Sequence, residues 1–139
     1  MFDLGTGTGV LAIAAAKALH ATVLASDIDP LSVKVARENA RLNASGHLVQ
    51  AIHATGFSAP QFAEFGPFDL VLANILANPL RQMATEMARH LAPSALVILS
   101  GLLTPQAASV IAAYRARGLM PVRHLRIDGW SSLLLRHVG

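Results

Sequence analysis

The chain has 139 residues, a hydrophobic fraction of 53% and a formal charge of +3, which together predict one domain with ample apolar side chains for a single core. Gly, Pro, Asn and Asp interrupt its apolar segments well before the ~20 residues that a bilayer span needs, so we expect no contact with a membrane interior. The absence of cysteine excludes disulfides and thiolate metal ligands. Asp3 stands near the N-terminus without basic residues before it, which argues against a secretory signal and favours a cytoplasmic location.

The basic side chains and the histidines give no sign of a clustered site. The densest basic group is Arg115, Arg117, Arg123 and Arg126. A dispersed group of this kind is typical of a solvated face, although a patch that meets RNA or an acidic surface is the alternative. The six histidines lie far apart, without an i, i+4 pair and without a carboxylate at ligand spacing. We therefore expect no metal site and no direct requirement for nucleic acid.

Apolar runs alternate with helical patterns along the chain, which is typical of a doubly wound parallel sheet. In chain order, the sequence predicts a strand at 1–4, a turn at 5–9, a helix at 10–19, a strand at 22–26, a helix from 30 to about 43–46, a strand at 48–52, a short helix at 61–65, a strand at 68–73, a helix at 79–91, a strand at 95–99, a helix at 105–117, and strands at 120–127 and 131–136. Asp29 before Pro30 is a helix start, and Asp128-Gly129 is a hairpin signal. The fold class is therefore α/β, with a Rossmann-like, mostly parallel seven-stranded sheet that ends in an antiparallel C-terminal hairpin.

A glycine-rich turn, Asp3-Leu4-Gly5-Thr6-Gly7-Thr8-Gly9, joins the first strand to the first helix, where open α/β sheets bind ligands. Dinucleotide enzymes space such glycines as G-x-G-x-x-G, with the third glycine serving a pyrophosphate. Here the spacing is G-x-G-x-G, with an acid two residues before the first glycine. This pattern favours S-adenosylmethionine over NAD, because Asp3 can hold the ammonium group of the methionine end directly or through water. An ordinary tight turn is the alternative.

Asp27 ends the second strand 18 residues after Gly9, close to the ~20-residue offset at which an acid binds ribose hydroxyls. A carboxylate accepts two hydrogen bonds from a vicinal diol, and Asp29 is better placed than Asp27 to cap the next helix. We predict that Asp27 binds the cofactor ribose, which disfavours a 2′-phosphate, and that Ile28 packs on one face of the adenine.

Asn74 directly follows the apolar fourth strand, where asparagine is poor strand material. Its side chain is expected to face a ligand or to cap a turn before Pro79. An amide oxygen, with nearby backbone carbonyls, can orient the N–H groups of an amine so that its lone pair points along a sulfur–methyl axis. Positioning of this kind supplies much of the rate for a neutral amine. Asn78, which precedes proline, is more simply explained as a turn residue.

Four segments together resemble the bacterial ribosomal protein L11 methyltransferase family, which belongs to the class I S-adenosylmethionine-dependent methyltransferases. They are the glycine turn, Asp27-Ile28-Asp29-Pro30, Asn74-Ile75-Leu76-Ala77-Asn78-Pro79-Leu80 and Leu99-Ser100-Gly101-Leu102-Leu103, and the likeness extends to Gly129-Trp130. The glycine turn is shared by all class I methyltransferases. The run that begins at Asn74 is more specific, because related enzymes for glutamine or nucleobase nitrogens carry Asn-Pro-Pro-Tyr or Asp-Pro-Pro-Tyr there.

The resemblance implies methyl transfer from S-adenosylmethionine, with S-adenosylhomocysteine as product, to the N-terminal and lysine amino groups of a large-subunit ribosomal protein. It implies catalytic roles for Asn74 and Ile75. The cofactor contacts expected from the residues and from the resemblance are Asp3, Gly5, Thr6, Gly7, Gly9, Asp27, Ile28, Thr55 and Asn74.

Two departures from the family pattern stand beside this resemblance. Family members usually carry an acid near the adenine in the loop after the third strand, whereas this loop reads His53-Ala54-Thr55-Gly56, so we expect adenine recognition from the backbone or from Thr55. Such enzymes also carry an N-terminal substrate-recognition domain, and we expect residues 1–139 to be the cofactor-binding domain without it. The alternatives are a nucleic-acid or small-molecule methyltransferase of the same fold, a nicotinamide-binding domain, and a cofactor-binding fragment without activity.

Overall fold

The computed structural model describes all 139 residues and contains seven strands and five α-helices. The strands are β1 (Phe2–Leu4), β2 (Val23–Asp27), β3 (Val49–His53), β4 (Phe68–Asn74), β5 (Leu91–Leu103), β6 (Leu119–Ile127) and β7 (Trp130–His137). The helices are α1 (Val10–Leu19), α2 (Pro30–Leu42), α3 (Gln61–Phe65), α4 (Ala77–Arg89) and α5 (Ala107–Arg115), with a 3₁₀ turn at Thr104–Gln106 before α5. No helix has the length and the apolar character that crossing a membrane requires.

All seven strands form one sheet in the order β3-β2-β1-β4-β5-β7-β6. The strands from β1 to β5 pair in parallel, whereas β7 runs antiparallel to both β5 and β6. The α/β fold predicted from the sequence, including its reversed C-terminal strand, is confirmed. The strand order changes direction between β1 and β4, and open α/β sheets bind ligands at the carboxyl ends of the strands at such a point.

Each face of the sheet buries its own apolar cluster, because side chains alternate between the faces along a strand. In β2, Val23 and Ala25 join a cluster of 10 buried residues with α1 and α2, whereas Leu24 joins a cluster of 25 on the opposite face. Small side chains such as Ala12 and Ala36 let α1 and α2 approach the sheet closely. Burial on both faces explains why the central strands read as continuous apolar runs.

An aromatic cluster formed by Phe2, Phe57, Phe62, Phe68 and His90 fixes the short central strand β1. Phe2 is fully buried, and its ring lies 5.0 to 5.5 Å from those of Phe62, Phe68 and Phe57. The Phe57 ring stacks on His90, with their centroids 4.6 Å apart and their planes at 19°. Burying one such phenylalanine stabilises the fold by about 1.5–3 kcal/mol. The cluster therefore compensates for the few backbone hydrogen bonds that the three-residue strand β1 can form.

Several element boundaries differ from those predicted. Helix α4 begins two residues earlier than predicted, at Ala77, because Pro79 lies in its first turn, where a missing N–H costs no hydrogen bond. Strand β5 spans 91–103 and not 95–99, since pairing with β4 starts at Leu91 and pairing with β7 continues to Leu103. The predicted helix at 105–117 is a 3₁₀ turn followed by the shorter α5.

Candidate functional site

The glycine turn leaves the carboxyl end of β1 and leads into α1. Gly5, Gly7 and Gly9 all have positive φ angles, of 69°, 58° and 84°. The backbone N–H of Thr6 donates to the carbonyl of Ser26 at 2.8 Å, and Gly9 is the N-cap of α1. The turn is thereby joined to the end of β2, its neighbour in the sheet.

The three glycines of the turn are required for different reasons. A Cβ on Gly5 would lie 2.5 Å from Cγ2 of Ile75, and a Cβ on Gly9 would lie 3.1 Å from Cβ of Ala36. Gly5 therefore admits the segment after β4, and Gly9 lets α1 pack against α2. A Cβ on Gly7 would meet nothing within 4 Å, so only its backbone conformation requires glycine. The space beside Gly7 is open to a ligand.

Asp3 is buried beneath the turn, with a relative exposure of 1%. Its carboxylate accepts a hydrogen bond from the Thr6 hydroxyl at 2.8 Å. Burial raises the pKa of Asp3 to about 6, although hydrogen bonds from Thr6 and from the backbone of Ala12 oppose the rise, and the charge of Asp27 adds to it. The observed contacts of Asp3 support the turn; its contact with an ammonium group stays a prediction.

Asp27 ends β2 and faces the turn. Its Oδ2 accepts a hydrogen bond from the backbone N–H of Gly7 at 2.9 Å, and its Oδ1 accepts one from the backbone N–H of Asp29 at 3.0 Å. Asp29 itself caps α2, because its side chain accepts from the backbone N–H of Leu31 at 3.0 Å. The inference that Asp29 and not Asp27 serves as the cap is confirmed. Each Asp27 oxygen keeps a second lone pair for a further donor.

A cleft of about 300 Å³ opens between the ends of β1 and β2, the loop after β3 and the start of α4. Four residues predicted from the sequence line it: Gly5, Asp27, Ile28 and Ile75. The side chain of Ile28 is 69% exposed at the mouth, and its carbonyl contacts Nε2 of His53 at 3.0 Å. Most of the remaining lining is apolar, which suits a flat aromatic ring bound by its faces.

The other predicted residues lie around the cleft and do not line it. Asp3, Thr6, Gly7 and Gly9 form the turn at its edge. Thr55 lines a neighbouring pocket of about 440 Å³, and its side chain is exposed without a hydrogen-bond partner within the chain.

Asn74 is the last residue of β4 and lies opposite Ser100 of β5. Its side chain is exposed, and its Oδ1 lies only 2.2 Å from where a Cβ on Gly101 would stand. Gly101 has a φ of 78° and falls within an irregularity of the β5–β7 pairing, between Leu99 and Leu102. The amide of Asn74 therefore packs directly against the backbone at Gly101, which carries no side chain. Asn78 was expected in a turn but lies in the first turn of helix α4, where it accepts a hydrogen bond from Arg81 and so has a structural role.

Sequence reasoning missed several residues around the cleft. Pro79 and Met83 of α4 line it, and their i, i+4 spacing was a signal that α4 presents one face to a ligand. Gly56 lines both the cleft and the neighbouring pocket. Asn39 of α2 donates to the carbonyl of Thr8 at 2.8 Å and so supports the glycine turn, which no local pattern indicates. Within the structure, no three His, Asp or Glu side chains converge as metal ligands would.

Comparison with known proteins places this geometry in a family. The model of the family described as Ribosomal protein L11 methyltransferase (PrmA) matches residues 1–137. The curated Ribosomal protein L11 methyltransferase of Bradyrhizobium diazoefficiens is 78% identical over 139 residues, which are 100% of this chain and 47% of that protein. Its counterpart from Rhodopseudomonas palustris is 76% identical over 135 residues, or 97% of this chain and 46% of that protein. The chain thus spans about half the length of the curated relatives it matches.

Solved structures agree with this placement. The ribosomal protein L11 methylase of Lactobacillus delbrueckii subsp. bulgaricus is 33% identical, with a TM-score of 0.89 over 98% of this chain and 69% of that one. An RNA methyltransferase from Salinibacter ruber, solved with S-adenosyl-L-homocysteine, has a TM-score of 0.76 at 23% identity over 97% of this chain and 78% of that one, and so shares the fold. With the family match running through the glycine turn, Asp27 and Asn74, the chain belongs to the ribosomal protein L11 methyltransferase family.

Proposed function

We propose that this chain binds S-adenosylmethionine and supplies the methyl-transferring half of an enzyme that methylates the N-terminal and lysine amino groups of ribosomal protein L11. The observation that carries the proposal is the position of Asp27, whose carboxylate faces the cleft while it closes the glycine turn through Gly7. The family membership and the names of the relatives support the choice of cofactor and of substrate.

The residues around the cleft suit S-adenosylmethionine. The free lone pairs of Asp27 can accept hydrogen bonds from both hydroxyls of a ribose, and the exposed Ile28 offers an apolar surface to an adenine. The backbone at Gly7 leaves room for the methionine end of the molecule. When bound, the cofactor supplies a methyl group on a positively charged sulfur.

The residues at the end of β4 and directly after it would bind and orient the amine. The Oδ1 of Asn74 accepts a hydrogen bond from an N–H of the neutral amine, which turns the nitrogen lone pair toward the methyl carbon. The apolar side chain of Ile75, which lines the cleft, would keep water from that line of approach. With the cofactor bound, the amine would accept the methyl group in line with the sulfur, and Asn74 would hold the nitrogen in that line while its extra proton passes to solvent. Orientation is the main contribution of the protein to the rate.

In this proposal, residues 1–139 are the cofactor-binding domain, and a separate part of the enzyme recognises the ribosomal protein. The chain spans about half the length of its curated relatives, which leaves room for such a part in the whole protein.

Calorimetric titration of the chain with S-adenosylmethionine, S-adenosylhomocysteine and NAD tests the cofactor assignment. We expect both adenosyl ligands to bind and NAD not to bind, and we expect Asp27→Ala to abolish binding. Binding of NAD alone would overturn the assignment. Mass spectrometry of ribosomal protein L11 after incubation with the enzyme and S-adenosylmethionine tests the substrate. Methylation of ribosomal RNA without methylation of the protein would refute that part.

A further inference from the structure

The pocket next to the cleft has one carboxylate in its lining, that of Glu86 on helix α4. Gly56, at a φ of 57°, lines the cleft on one side and the neighbouring pocket on the other. A Cβ on Gly56 would lie 3.7 Å from Oε2 of Glu86. The carboxylate of Glu86 therefore lies beside Gly56, at the boundary between the cleft and the neighbouring pocket.

The backbone of Glu86 is held close to the loop after β3 by the packing of His90. The carbonyl of Glu86 contacts Nδ1 of His90 at 2.8 Å, and the ring of His90 stacks on Phe57, the residue after Gly56. Met83, three residues before Glu86 and on the same side of α4, lines the cleft. The end of α4 and the loop after β3 are thus held together as one wall.

Glu86 is also free to bind a ligand. Its side chain makes no hydrogen bond within the chain and forms no ion pair, even with Arg89, which lines the same pocket. Asp27, the carboxylate that lines the cleft itself, already accepts hydrogen bonds from Gly7 and Asp29. An adenine carries an exocyclic amino group with two N–H donors, and the apolar lining near Met83 and Ala54 provides no side-chain acceptor for them.

We propose that the carboxylate of Glu86 accepts a hydrogen bond from the exocyclic amino group of the cofactor's adenine, so that Glu86 selects adenine over a 6-oxo purine. This inference rests on the proposed function. It differs from the sequence expectation that Thr55 or the backbone alone recognises the base. A 6-oxo purine presents an oxygen acceptor at the same place, which a carboxylate repels, so the selectivity arises from both attraction and repulsion.

Calorimetric titration with S-adenosylhomocysteine and with S-inosylhomocysteine, its 6-oxo analogue, tests the proposal. We expect the unmodified chain to bind the adenine compound at least about tenfold more tightly, the usual effect of one hydrogen bond to a charged group. In Glu86→Gln the preference should fall to about twofold or less, because an amide can donate to the 6-oxo group as well as accept. Affinity for the 6-oxo compound should not fall.

Two control variants make the result specific. Glu64→Gln removes an exposed carboxylate on α3 that lines neither pocket, and it should keep the full preference. An unchanged preference in Glu86→Gln, or a loss of preference in Thr55→Ala alone, would overturn the proposal. If the unmodified chain binds neither compound, the proposed function itself fails, and that outcome is distinct from tight but unselective binding.

Discussion

The carboxylate of Asp27 accepts a hydrogen bond from the backbone N–H of Gly7 at 2.9 Å, across 20 residues of sequence. One side chain therefore closes the glycine turn and faces the cleft. Asp27→Asn replaces one acceptor oxygen with an NH₂ group, which would point a donor at the backbone N–H of either Gly7 or Asp29. The amide also has fewer lone pairs than the carboxylate to offer a ribose. We expect the affinity for S-adenosylhomocysteine to fall by about tenfold or more, measured by calorimetry.

Asp29→Asn is the matched control for this prediction. Asparagine caps a helix about as well as aspartate, so α2 should keep its start and the affinity should stay within about threefold. Equal losses of affinity in the two variants would show that Asp27 acts only by shaping the chain around the turn.

Gly5 and Gly7 should tolerate alanine to different degrees. In Gly7→Ala the cost is the left-handed backbone alone, about 1–2 kcal/mol. Gly5→Ala adds a collision with Ile75, whose Cγ2 would lie 2.5 Å from the new Cβ. We expect urea unfolding to show a larger loss of stability in Gly5→Ala, with part of the difference restored in the double variant with Ile75→Ala. Equal losses in the two single variants would contradict this packing argument.

Gly101→Ala should impair methyl transfer more than it impairs cofactor binding. The new Cβ would lie 2.2 Å from Oδ1 of Asn74 and would displace the amide to which the proposed function assigns the orientation of the amine. A misplacement of about 1 Å can lower a rate by about 100-fold, so we expect a fall in kcat of up to that size with ribosomal protein L11 as substrate. Calorimetry should show a much smaller fall in the affinity for S-adenosylhomocysteine.

Gly129→Ala controls for backbone strain in this experiment. Gly129 has a φ of 80°, similar to that of Gly101, but a Cβ there would meet nothing within 4 Å. This variant should keep its kcat. A similar loss in Gly129→Ala would assign the effect to general destabilisation of the C-terminal strands.

Asp3 should make the stability of the fold depend on pH in a defined direction. Its pKa is raised from 3.8 to about 6, chiefly by burial, so the folded chain holds the proton more tightly than the unfolded chain does. The stabilisation from the protonated form is complete below pH 3.8 and is lost as the pH rises through about 6. Asp3→Asn keeps an acceptor for Thr6 and does not titrate.

The free energy of unfolding of Asp3→Asn, measured in urea, should therefore rise relative to that of the unmodified chain between pH 4 and pH 7. The upper limit of this gain is about 3 kcal/mol, since each pKa unit corresponds to about 1.4 kcal/mol. Comparing the two chains at each pH cancels the contribution of every other ionisable group, because those groups are the same in both. A difference that stays constant over the range would show that Asp3 ionises as readily in the fold as outside it.

The fold was predictable because its signals are local. The apolar runs, the Ala-rich α1 and the Asp29-Pro30 start of α2 each act within a few residues, and the alternation of strands and helices then selects a parallel sheet. Strand β5 was predicted too short because its two ends adopt strand structure only by pairing with the neighbouring strands β4 and β7. The pairing of strands across the sheet cannot be predicted from the residues of one segment alone.

In the site, too, local signals were predictable and contacts between distant segments were not. Gly5, Asp27 and Ile28 were found by spacing, and the structure brings them together at one cleft. The contact between Asn74 and Gly101 depends on the register of β4 and β5, and the contact between Gly56 and Glu86 joins residues 30 positions apart. The sequence showed that the loop after β3 lacks an acid. It did not show that α4 places the carboxylate of Glu86 next to that loop.

The aromatic cluster around Phe2 has a consequence for the energetics of ligand binding. Phe2 belongs to the strand that leads into the glycine turn, Phe57 to the loop after β3, and His90 to the end of α4. The rings of Phe2 and Phe57 meet edge to face, and that of Phe57 stacks on His90, so the three walls of the cleft are ordered together when the chain folds. A ligand then meets a preorganised cavity, and little of its interaction energy is spent on restricting loop motion.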